Sequence, residues 1–119
     1  MTRLLFIDDD PQAQDTLKMV LADSYQVTSA FTGEQGIEIV RNENPDIVLL
    51  DINLPDIDGI EVLKQIMAIP APPPVVMLTV YSDTKLIVAA IKVEAYLRLY
   101  LFLVNDTVNI NIQVTKIDL

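Results

Sequence analysis

The chain has 119 residues, 51% of them hydrophobic, with a mean hydropathy of +0.38, which suits one domain around one core. A formal net charge of −9 with no histidine excludes the basic patch that binding to nucleic acid or an anionic membrane needs, and leaves cations or a basic partner surface as favoured company. Cysteine is absent, which excludes a disulfide framework and a thiolate metal site.

Met1 leads directly into a strand-like run with no signal pattern. Leu4–Ile7 is continuously apolar, as in a strand buried on both faces, and it runs straight into Asp8-Asp9-Asp10. Asp10 followed by Pro11 is a helix start, with an N-cap carboxylate and then proline at the first helical position. Ala13, Leu17, Val20 and Leu21 fall on one face of that helix. Tyr25–Ala30 reads as the second strand. Thr32, with Gln35 three residues later, has the capping-box form, and Ile37, Ile39 and Val40 predict a second helix to about Asn42. "PDIVLLD" predicts a third buried strand ending at Asp51. "INLPDIDG" is loop, in which Asp56 and Asp58 read as solvation and turn chemistry.

Ile60, Val62, Leu63, Ile66 and Met67 suit a third helix, and "PAPPP" a stiff connector. "VVMLT" predicts a fourth strand ending at Thr79. Ser82-Asp83-Thr84 caps a fourth helix, with Leu86, Ile87, Ala90, Ile91 and Val93 on its apolar side. Late in the chain, "YLRLYLFLV" is about half the length that spans a bilayer, and it carries Arg98. A soluble protein without a membrane partner is therefore expected. The alternation β-α-β-α-β-α-β-α predicts an α/β fold, with helices on both faces of a parallel sheet.

In such a sheet ligands sit outside the carboxyl ends of the strands. Strand one ends at Asp8-Asp9-Asp10, strand three at Asp51 and strand four at Thr79, so all three endings meet at one edge. Hard oxygen ligands without histidine or cysteine favour Mg²⁺, with Mn²⁺ as the alternative. A divalent ion converts a repulsive acidic cluster into a coordination shell. Asp51, alone on the middle strand, is the candidate to receive a phosphoryl group, since a carboxylate can act as a nucleophile towards phosphorus. The Thr79 hydroxyl is placed to hydrogen-bond a phosphoryl oxygen. Asp10 reads as a helix cap rather than a ligand.

"LLFIDDDP", "PDIVLLDINLPDIDGIEVLKQI" and "PPVVMLTVYSDTKLIVAAIK" together closely resemble the receiver domain of two-component response regulators, over about residues 3 to 93. The resemblance implies a flavodoxin-like, doubly wound parallel sheet of strand order 2-1-3-4-5. It implies that Asp8 and Asp9 are the acidic pair holding Mg²⁺, that Asn53 lends its backbone carbonyl, and that Thr79 is the switch hydroxyl. It also implies that Asp51 is the phosphoacceptor, served by a histidine kinase, a phosphotransfer protein or a small phosphodonor in the cytoplasm. Pro55 and Gly59 match the loop after the phosphorylated strand.

The last quarter departs from that family. Glu94 stands where a glycine is usual, and Arg98 where the switch aromatic belongs. Leu101 and Phe102 fall at the lysine and proline positions. A two-residue slip puts Tyr100 at the aromatic position, but supplies no lysine. An ammonium there would contribute about 1.5–3 kcal/mol as a charge-assisted hydrogen bond. Its loss is expected to slow phosphorylation or weaken the readout, while sparing the metal. The fifth helix is replaced by "TVNINIQVT", whose period of two reads as a strand, in a hairpin with "YLRLYLFLV"; a disordered tail is the alternative.

We therefore expect a receiver-like domain over 1–104 and a strand-like tail over 105–119, with a homodimer through the C-terminal region. A degenerate receiver, acting only as an interaction module, is the second reading. A third is a haloacid-dehalogenase-type phosphatase with Asp8 as nucleophile. That family needs a later lysine and a further acidic pair, and neither is evident.

Overall fold

The structure, a computed structural model, describes residues 1–51, 54–78 and 115–117. Asn53, Thr79, the expected fourth helix, the hairpin, the alternating segment before residue 115, the domain boundary and the dimerising surface lie outside the described residues.

In chain order the elements are β1 (Thr2–Ile7), α1 (Pro11–Leu21), β2 (Tyr25–Ala30), α2 (Gly33–Glu43), β3 (Ile47–Asp51), α3 (Gly59–Met67), β4 (Val75–Leu78) and β5 (Thr115–Ile117). The strands are parallel and lie in the order β2-β1-β3-β4-β5, the flavodoxin-like arrangement.

Alternation along each strand splits the core in two. Leu4, Phe6, Ile47 and Leu49 face α1, where Ala13, Leu17 and Leu21 cover them. Leu5, Ile7, Val48 and Leu50 face α2 and α3, under Ile37, Val40, Val62 and Ile66. Both faces are thus buried, which is why these strands read as unbroken apolar runs.

The helix boundaries follow local chemistry. Asp10 caps α1 by accepting from Gln12 N–H at 3.0 Å, with Pro11 next. Thr32 caps α2 by accepting from Gln35 N–H at 3.1 Å, while Gln35 Oε1 accepts from Phe31 N–H at 2.8 Å. At its other end α2 stops before Pro45, with Asn44 in the left-handed region at φ 47°. The Arg3 guanidinium donates there to the carbonyls of Glu43 and Asn44, placing a cation at the negative end of the helix dipole. Arg3 N–H also donates to Asp46 at 2.7 Å, which brings β3 in beside β1.

Val20 departs from expectation. It is half exposed, and Gln14 is buried in its stead. At 100° per residue the two positions lie about 60° to either side of the centre of the Ala13–Leu17–Leu21 stripe. Hydropathy favours Val20, but the sheet covers the flank that carries Gln14.

Close approach of α2 to β1 uses Gly36. A Cβ built there would meet the Cδ1 of Ile7 and lie 2.7 Å from its Cγ1. Gly36→Val is therefore expected to lower the unfolding free energy by about 2 kcal/mol through overpacking. Urea denaturation checks this; an unchanged midpoint would mean that Ile7 repacks without strain.

Candidate metal and phosphoacceptor site

The β1–β3 ladder ends at Ile7↔Leu50, so the next residues on the two strands are Asp8 and Asp51. Register alone sets them side by side at the carboxyl edge of the sheet. Both are buried, Asp8 completely and Asp51 at 7% exposure, while Asp9 turns outward into solvent. One carboxylate oxygen from each of Asp8, Asp9 and Asp51 lies within 4.8 Å of the others. Asp10 is not in that group; its carboxylate caps α1.

The turn after β1 is held by two short bonds. Asp8 N–H donates to the Ala30 carbonyl at 3.0 Å, and Asp8 Oδ1 accepts from Asp10 N–H at 2.9 Å. Asp51 pairs in register with Leu78, the residue before Thr79.

These residues fit a hard divalent cation. The donors are all carboxylate oxygens. Two oxygens on one Mg²⁺ are separated by at most about 4.2 Å, so closure from 4.8 Å asks only for small side-chain rotations. With a buried pair and an exposed third carboxylate as ligands, a six-coordinate cation would keep positions for water and a phosphoryl oxygen.

Asp56 has a tertiary role that the sequence reading missed. Its Oδ1 accepts from Gly33 N–H at 2.9 Å and its Oδ2 from Glu34 N–H at 3.1 Å. The loop that follows β3 is thereby latched onto the N-terminus of α2, beside Gly33, where a Cβ would lie 2.7 Å from Val62 Cγ2. Desolvation pushes the Asp56 carboxyl up. The backbone N–H groups of Gly33, Glu34, Asp56 and Ile57 outweigh it and hold the group below its ordinary value. Asp58 is the turn residue expected, accepting from Ile60 N–H at 2.8 Å to cap α3. The seven residues between Asp51 and the helix start at Gly59 mark the loop in the sequence, but only the fold shows which helix Asp56 reaches.

The family model for the response regulator receiver domain matches residues 4–100. Sporulation initiation phosphotransferase F of Bacillus subtilis is 36% identical over 86 residues, covering 71% of this chain and 69% of that protein. The DNA-binding response regulator MtrA of Mycolicibacterium smegmatis is 39% identical over 83 residues, covering 69% of this chain and 36% of that protein. Among solved structures, response regulator protein TrrA from Thermotoga maritima, in complex with Mg²⁺-BeF, has a TM-score of 0.64 and 34% identity over 71% of this chain and 74% of that one.

The chain spans 21 to 40% of the length of several curated relatives it matches. MtrA is DNA-binding by name, so the expectation of no nucleic-acid partner, drawn from the acidity of these residues, is not supported for the proteins of this family. No described helix is long and apolar enough to cross a membrane.

Asp56→Ala is expected to cost about 1 kcal/mol by leaving the Gly33 and Glu34 N–H groups without their carboxylate, while the Thr32 cap stays in place. Because the folded carboxyl sits below its ordinary value, its contribution is fully present above the unfolded pKa and lost as pH falls through the folded one. Thermal unfolding of both proteins at neutral pH and near pH 3 checks this: the gap between them should shrink in acid.

Proposed function

The chain belongs to the response regulator receiver domain family, and we propose on that footing that Asp51 is its phosphoacceptor, with Asp8 and Asp9 holding Mg²⁺ or Mn²⁺. The observation that carries this reading is the convergence of Asp8, Asp9 and Asp51 at the carboxyl edge of the sheet. A Mg²⁺-bound relative of the same fold, TrrA, supports the choice of ion.

Asp51 ends the central strand, so its carboxylate is presented at the rim on a rigid element. One of its oxygens attacks phosphorus; the new O–P bond forms as the donor's leaving group departs with its electron pair. Asp8 is held by the β1–β2 edge, and Asp9 reaches in from the solvent side. A divalent ion bound there would neutralise part of the negative charge that three carboxylates and a phosphoryl group bring together. By family resemblance Asn53 supplies a backbone carbonyl and Thr79 the switch hydroxyl. The donor is a histidine kinase, a phosphotransfer protein or a small phosphodonor, and the output is a changed surface.

Incubation with phosphoramidate or acetyl phosphate and Mg²⁺ should add the mass of one phosphoryl group, as read by intact-protein mass spectrometry. Asp51→Asn should abolish the gain, and chelation of the metal should suppress it. If the folded wild-type protein gains no mass, the phosphoacceptor reading fails, and the module that binds partners without phosphorylation takes its place.

A further inference from the structure

Gln14 is 1% exposed; with Asp8 and Asp51 it makes up the buried polar side chains among the described residues. We propose that Gln14 is a positioning residue that aims Asp8 and Asp9 at the cation, a role that rests on the metal reading of that pair.

Its Nε2 lies 2.9 Å from the Phe6 carbonyl oxygen and 3.0 Å from those of Asp8 and Ala30. Two N–H bonds thus serve three acceptors. The amide orientation is fixed by that trio, because a flipped carboxamide would set Oε1 against three carbonyl oxygens.

These carbonyls mark the place where β1 and β2 part. The ladder between them stops at Ile7↔Ala30. Asp8 N–H still reaches the Ala30 carbonyl, at 3.0 Å. The Asp8 carbonyl, next along the same edge, takes its donor from Gln14.

The consequence follows from peptide planarity. The peptide before Asp8 is held through its N–H, and the peptide after it through its C=O. Both backbone torsions of Asp8 are clamped between these two bonds. The second peptide also contains Asp9 N–H, so the Gln14 amide sets the direction in which the chain turns from the buried carboxylate to the exposed one. Space filling alone does not account for this residue, since a methionine would occupy the same volume with no desolvation cost. The carbonyls are what call for an amide.

The test compares three proteins. Gln14→Met keeps the length and removes the donor. Leu17→Val loosens the same helix without touching a carbonyl. Mg²⁺ affinity is measured by NMR titration on the Asp9 amide and by calorimetry. Gln14→Met should raise the Mg²⁺ dissociation constant about tenfold, the lower end of the range for groups that orient metal ligands. Leu17→Val should leave it unchanged, although both variants melt earlier.

In the wild type, the Gln14 side-chain amide protons should exchange slowly, couple through the hydrogen bond to the Asp8 carbonyl, and shift in step with Asp9 as Mg²⁺ is added. If the wild type binds Mg²⁺ and Gln14→Met binds it as tightly, the positioning role is overturned while the metal reading stands. If the wild type binds none, both fall together. Should Gln14→Met not fold, the wild-type amide decides: protection and a Mg²⁺-linked shift support the role, and solvent-rate exchange without a shift overturns it.

Discussion

Two carboxylates buried side by side, one position beyond the last paired rung of adjacent parallel strands, are the constraint around which this sheet edge is organised. Asp8 and Asp51 arrive together because β1 and β3 share a register, not because any local preference draws them together. With a third oxygen from Asp9 inside 4.8 Å, each charged pair repels by about 3.5 kcal/mol at an effective dielectric constant of 20. A helix cap contributes about 1 kcal/mol. Capping alone therefore does not offset the arrangement, and a divalent cation bound there would. The stability of this edge and its chemistry are the same electrostatic problem.

The rest of the fold holds that edge still. Apolar strand faces are covered on both sides, so β1 and β3 cannot slide without moving every core residue to the wrong face. At the opposite end, Arg3 ties the start of β1 to the end of α2 and to Asp46. At the carboxyl edge of the sheet, Asp56 ties the loop after Asp51 to the start of α2. The same helix is thus gripped at both termini by groups from β1 and from the β3–α3 loop. Two hydrogen bonds from backbone N–H groups of α2 to the Asp56 carboxylate join that loop to the helix.

Local chemistry was readable before the fold. Asp10-Pro11 and Thr32 with Gln35 set the helix starts, because a cap is satisfied by groups two or three residues away. Leu4–Ile7 and Ile47–Leu50 announced strands buried on both faces. The acidic strand endings named Asp8, Asp9 and Asp51, and the order of the strands placed them at one rim. One expectation failed and another was incomplete, for a shared reason. Val20 was assigned to the core by hydropathy, yet it lies on the uncovered flank of α1, and Gln14 lies on the covered one. Asp56 read as a loop acid, yet it caps a helix 22 and 23 residues away in sequence.

From its sequence alone, then, the elements from β1 to β4, their parallel alternation and the candidate site carboxylates could be determined, because periodicity, caps and strand endings act over a few residues. The tertiary structure decided which helix flank is sealed, which carbonyls are left at the seam of β1 and β2, and which helix the acidic loop grips. Those outcomes depend on where distant backbone donors and acceptors come to rest, and hydrogen bonds between them carry no trace in local residue spacing.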